Sequence, residues 1–185
     1  MKIYQIDSSA RKEGSTSRQL SKKLLNKIKK PGDEIIYRDL DDEMLFISKL
    51  TESGMKIPLE KQTEDHKKMF DEAENQLKEI NIVLIAHGTL SDQDECEKDV
   101  NKTVEEIKTN AISTIALLTE ISNRFIKKKS GTIAVISSVA GDRGRSSNYV
   151  YGSAKAMVST FASGLRQRLN KHNVSVVTIK PAFID

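Results

Sequence analysis

The chain has 185 residues, enough for one domain with a buried core and few for two. Hydrophobic residues make up 37% and charged residues 30%, and no apolar run approaches the roughly 20 residues of a bilayer span, so disorder and a membrane helix are both excluded. The 30 basic and 26 acidic residues are mixed along the chain for a net +4, a pattern that argues for solvated faces and against a nucleic-acid stripe.

Cys96 is the single cysteine, which rules out an internal disulfide and a cysteine-based metal site and leaves an ordinary free thiol. The opening MKIYQID is too short for a signal peptide, and a reducing, cytoplasmic compartment is the default expectation.

In chain order, KIYQID (2–7) predicts a short strand. The following STSRQLSKKLLNKIKKPG sets Leu20, Leu24, Leu25 and Ile28 on one helical stripe, with hydroxyl residues to cap its start and Pro31-Gly32 to stop it. DEIIYRDL (33–40) is a second strand, and 41–60, with Gly54 and Pro58, is a long connection. A helix follows in which Met69, Phe70, Ala73, Leu77 and Ile80 recur at helical spacing, with His66 placed on its polar side as an exposed histidine.

NIVLIAHG (81–88) predicts a buried parallel strand. Then comes one long helix carrying Ile107, Ala111, Ile115, Leu118 and Phe125 on a single face. GTIAVISS is a fourth strand, NYVYGSAKAMVSTFASGLRQRLNK another helix, and VSVVTIKPAF a fifth strand. Strands alternating with helices predict an α/β fold, a three-layer, doubly wound, five-stranded parallel sheet. A single domain over 1–185 and the strand order 2-1-3-4-5 are expected.

The stretch SSVAGDRGRSSNYVYGSAKAM (137–157) carries chemistry. Tyr151 and Lys155 stand four apart and share a helix face. A phenol with a pKa of about 10 is a poor base at neutral pH, and a neighbouring ammonium stabilises its phenolate. Ser138, at the carboxyl end of the fourth strand, is placed to hydrogen-bond the oxygen that gains or loses the proton. Tyr149 has Ser153 as its fourth neighbour and cannot play this part.

With Asn110 in KTNAIST and with AHGTL after the central strand, these residues make the chain from about 81 to 185 resemble the short-chain dehydrogenase/reductase family. The resemblance implies a Rossmann-type fold, catalytic Ser138, Tyr151, Lys155 and Asn110, and a lysine that holds the ribose of NAD(P). Two features depart from the family pattern. Ala182 replaces the glycine of the usual Pro-Gly pair, and no pair of glycines has the G-x-G spacing that lets backbone amides approach a pyrophosphate. A substrate pocket is expected to be largely lacking.

What stands at the nucleotide loop is IDSSARKEGSTSRQL. Residues 1 to about 80 resemble the flavodoxin-like, FMN-dependent NADH-azoreductases. That resemblance implies a phosphate cradle from Ser9, Ser15, Thr16 and Ser17, chemically sound because a helix amino terminus offers free N–H groups and positive dipole; plain N-capping would use the same residue types. The ring-holding loop expected near residue 87 is replaced by HGTLSD. The change of resemblance within INIVLIAHG implies an engineered chimera of two half-sites, a folded scaffold without efficient activity. The alternatives are weak FMN or phosphate binding at the first strand–helix loop and residual NAD(P)-dependent oxidoreduction. The expected partner is at most a phosphate-bearing small molecule, with neither nucleic acid nor membrane, and the expected state is a monomer or weak homodimer.

Overall fold

The computed structural model describes residues 2–7, 16–39 and 59–182. The expected connection over 41–60 lies outside the described residues up to 58, and so do Ser9 and Ser15. The elements are β1 (Lys2–Asp7), α1 (Thr16–Ile28), β2 (Glu34–Asp39), α2 (Leu59–Leu77), β3 (Ile82–Ile85), α3 (Gln93–Cys96), α4 (Val100–Ile107), α5 (Ser113–Lys128), β4 (Gly131–Ile136), α6 (Tyr149–Asn170) and β5 (Val174–Ile179). A π-helical turn, Lys108–Ile112, joins α4 to α5, and a 3₁₀ turn, Val139–Gly141, follows β4.

The strands form one parallel sheet in the order β2-β1-β3-β4-β5. Parallel neighbours need crossovers, and right-handed crossovers put α1, which joins β1 to β2 leftward, on the face opposite the helices that connect rightward. Those helices share one core. Phe70, Ala73 and Leu77 of α2 meet Leu118, Ile121 and Phe125 of α5, Val158, Ala162, Leu165 and Leu169 of α6, and Ile85, Ile133, Val135, Val174 and Val176 of the sheet. Along β5 the pattern alternates, with Val174 and Val176 buried and Ser175 and Val177 exposed, as period-2 geometry requires of a half-covered strand.

The seam between β1 and β3 is narrow, pairing only Ile3 with Ile82 and Tyr4 with Val83. Side chains reinforce it from the helical face. Arg124 of α5 reaches Glu74 and Asp71 of α2 at 2.7 Å each and Glu120 at 2.8 Å, and its guanidinium lies over the Phe70 ring. One turn on, Lys128 donates to the Ile80 carbonyl (2.6 Å) and to Asn81 Oδ1 (2.7 Å), immediately before β3.

His66 corrects a sequence expectation. It is buried, 5% exposed, because it continues the stripe of Phe70, Ala73 and Leu77 at helical spacing of four, three and four. Cys96 is buried too, and burial raises its thiol pKa, with Glu106 nearby adding to the rise. The uninterrupted helix expected across 100–128 is broken by the π turn.

Candidate functional site

The carboxyl ends of parallel strands gather the loops of an open α/β sheet, and the crevice there is where such folds place ligands. Ser138, two residues past β4, N-caps the 3₁₀ turn by accepting from the Ala140 amide at 3.1 Å. Its hydroxyl stands near the Tyr151 phenol in the first turn of α6, close enough to lower that group's pKa. The contact depends on close backbone approach, since a Cβ on Gly152 would stand 2.6 Å from the Ala140 carbonyl oxygen. Ser137 fixes the same helix one turn later, donating to the Lys155 carbonyl at 2.9 Å and facing Ser159 Oγ at 2.7 Å.

Lys155 is 4% exposed. Its Nζ lies 5.6 Å from the centroid of the Tyr151 ring and donates to the Ile136 carbonyl at 3.4 Å. Burial pushes the lysine down to about 8, a fall that the negative charge of Glu106 opposes. Burial also raises the Tyr151 phenol above its ordinary value; the nearby Ser138 hydroxyl works against that rise and Glu106 adds to it. Burial therefore outweighs the lowering expected of Lys155, and the phenol stands above its ordinary value. The ammonium sits over the ring face, and desolvation dominates the phenol.

Asn110 lies in the π turn and is fully buried. Its Oδ1 accepts from the Thr89 amide at 3.0 Å, while Nδ2 donates to Glu106 Oε1 at 2.7 Å. Gly88 lies between Asn110 and Lys155. A Cβ there would stand 2.5 Å from Asn110 Oδ1 and 3.1 Å from Lys155 Nζ, so glycine alone keeps these head groups beside the chain. The structure thus brings Ser138, Tyr151, Lys155 and Asn110 to one end of β3 and β4. Thr16 and Ser17 open α1, at the carboxyl end of the adjacent β1.

Three polar residues escape the sequence reading. Glu106, 2% exposed, accepts from Thr89 Oγ1 at 2.9 Å and from Ser91 Oγ. His87 faces Ser113 Oγ at 2.7 Å. The Ser113 hydroxyl donates to the Thr109 carbonyl at 2.6 Å, so the imidazole donates from Nε2. Burial first, then Lys155 and His66, push this histidine down to about 3 and keep it neutral. Gln93, from the unforeseen α3, accepts the Val150 amide at 3.1 Å and caps α6, which Asn148 leaves uncapped by side chain. A signal for Glu106 was present in its position four residues before Asn110, on the same helix face.

No group of three or more His, Cys, Asp or Glu fit to hold a metal occurs among the described residues. No helix among them is long and apolar enough to cross a membrane.

A family model described as short chain dehydrogenase matches residues 21–185. The amino-terminal part is 72% identical over 89 residues to an FMN-dependent NADH:quinone oxidoreductase of Pelagibacter ubique, covering 46% of each chain. An uncharacterized oxidoreductase of Mycobacterium tuberculosis is 38% identical over 105 residues, 57% of this chain and 42% of that one. The chain therefore spans less than half the length of these two curated relatives. Among solved structures, LigO in its apo form from Sphingobium sp. superposes with a TM-score of 0.74 at 16% identity, over 98% of this chain and 67% of that one. A short-chain dehydrogenase from Streptomyces avermitilis gives 0.65 at 14%, over 97% and 56%. At such identities these two speak for the fold alone, a Rossmann-like α/β sheet.

Proposed function

The chain belongs to the short-chain dehydrogenase family over residues 21–185, and from this premise we propose that it is an NAD(P)-dependent oxidoreductase acting slowly on carbonyl compounds. The observation that carries this reading is the convergence of Ser138, Tyr151 and Lys155, with the serine hydroxyl near the phenol and the ammonium 5.6 Å from the centroid of its ring.

Lys155, whose ammonium Gly88 admits close beside the chain after β3, is the residue that would hold a nicotinamide nucleotide, by its ribose hydroxyls. A bound nicotinamide would supply the hydride. The chain's own residues manage the proton. Tyr151 is held protonated by burial, which suits it to give its phenolic proton to a carbonyl oxygen as that oxygen takes up charge, the reducing direction. Ser138 donates a hydrogen bond to the same oxygen, and the Lys155 ammonium balances the phenolate left on Tyr151 until water reprotonates it.

Tyr151→Phe tests the assignment. Consumption of NADH over a panel of carbonyl compounds is expected to fall to background in the variant. Equal rates in both proteins would leave the first expectation of the sequence, an engineered chimera without efficient activity, as the better description. Slow turnover is expected even when the residues are in place. The G-x-G loop is lacking, and loss of cofactor positioning removes factors on the order of 10⁵ in rate.

The 72% identity of the amino-terminal part to an FMN-dependent protein favours a second activity, weak binding of FMN or phosphate by Ser9, Ser15, Thr16 and Ser17. Titration with millimolar FMN or phosphate should raise the melting temperature, and Ser17→Ala should abolish the rise. An unmoved melting temperature in the unaltered protein would dismiss it.

A further inference from the structure

Glu106 is an acid of α4 buried where a solvated face was expected. Four donors converge on it: Asn110 Nδ2 at 2.7 Å, Thr89 Oγ1 at 2.9 Å, Ser91 Oγ, and the Ser91 amide at 3.4 Å. A carboxylate only accepts, so this arrangement suits the charged form in every contact. Burying a carboxylate costs several kcal/mol unless it is so satisfied, and a structural hydrogen bond alone would be met more cheaply by an amide or hydroxyl.

The contacts join two elements that flank the reacting groups. Asn110 belongs to the π turn and Thr89 and Ser91 to the turn after β3. By holding Nδ2, Glu106 fixes which way the Asn110 amide faces, and Oδ1 is thereby aimed at the Thr89 amide and packed against Gly88, next to Lys155 Nζ. The Lys155 ammonium lies over Tyr151 on its own helix, donates to the neutral Ile136 carbonyl, and has His87 beyond β3 and Glu106 of α4 within electrostatic reach.

We propose that Glu106 is a positioning residue of this centre, seating Asn110 and the Thr89–Ser91 turn and placing a carboxylate, through Asn110, beside the Lys155 head group. The consequence for turnover rests on the oxidoreductase reading above, but the test does not require turnover.

Protein carrying ¹³C-labelled lysine would be titrated from about pH 6 to pH 11, following the Lys155 Cε signal, identified by its loss in Lys155→Met. Glu106→Gln keeps the shape and removes the charge; the Lys155 midpoint should drop by roughly half a unit to one unit. Glu106→Asp keeps the charge and should leave the midpoint near that of the unaltered protein. A midpoint unmoved in Glu106→Gln, or one that drops as far in Glu106→Asp, would overturn the assignment. Should Glu106→Gln not fold, Ser91→Ala is read instead. It removes one donor and leaves the charge, so the Asn110 side-chain amide resonances should move while the Lys155 midpoint stays; still amide resonances would overturn the seating. A shifted Lys155 midpoint in a protein that oxidises no NADH would uphold Glu106 and remove the oxidoreductase reading.

Discussion

Lys155 carries the largest electrostatic cost in the site. Its amine is pushed from 10.5 down to about 8 by burial, so the native state disfavours the ammonium that the proposed chemistry uses. Below pH 8 native and unfolded chains both hold the proton, and the cost of burying it, on the order of 3 kcal/mol, is fully present. Between about 8 and 10.5 the unfolded chain binds a proton that the native chain does not, so stability gains with rising pH. Lys155→Met is accordingly expected to raise the urea midpoint at pH 7, with its advantage shrinking as pH climbs through that window. A lower midpoint at pH 7 would mean that the lysine stabilises the fold. The shared helix face of Tyr151 and Lys155 was legible from spacing alone, because four residues is one helical turn whatever surrounds it. Their protonation was not, because it depends on burial that only the packed β4–α6 contact creates.

The elements explain why some polar residues were missed. The apolar stripe of Ile107, Ala111, Ile115, Leu118 and Phe125 was read on a uniform helix, which would turn Glu106 away from the core. The π turn at Lys108–Ile112 changes that phase, and Glu106 is buried while Ile107 and Ile115 are only half-buried. Such turns often accompany functional positions. The first turn of α6 yields a direct test. By helix propensity alone, Gly152→Ala should stabilise by about 1 kcal/mol. The Cβ it adds would stand 2.6 Å from the Ala140 carbonyl oxygen, a backbone atom that cannot swing aside, and overpacking of this kind costs roughly 1–3 kcal/mol. Equilibrium unfolding should therefore show Gly152→Ala less stable. A gain in stability would contradict the close approach that brings Ser138 to Tyr151.

At the scale of the whole molecule, two resemblances meet in one sheet. The alternation of strands and helices was legible because each segment announces its period. The seam was not, since Arg124 and Lys128 lie in charged stretches that read as solvent-facing. In the fold they join α5 to α2 and to the chain entering β3, where the strand pairing itself is only two residues long. We infer that the described elements unfold as one unit. Arg124→Met is expected to cost about 1–2 kcal/mol, because Asp71, Glu74 and Glu120 are left without their shared cation and are partly solvated; circular dichroism and tyrosine fluorescence should still report a single transition. Two separated transitions would argue for independent halves.

The central claim, that the Tyr151 phenol and a bound nicotinamide act together on a carbonyl, is tested most directly by isotope transfer. The protein would be incubated with NADH deuterated at the transferable position and with a panel of carbonyl compounds, and the alcohols analysed by mass spectrometry. Deuterium in at least one alcohol, made by the unaltered protein and lost in Tyr151→Phe, is the expected result; alcohol free of deuterium, or equally labelled in both proteins, would contradict the claim.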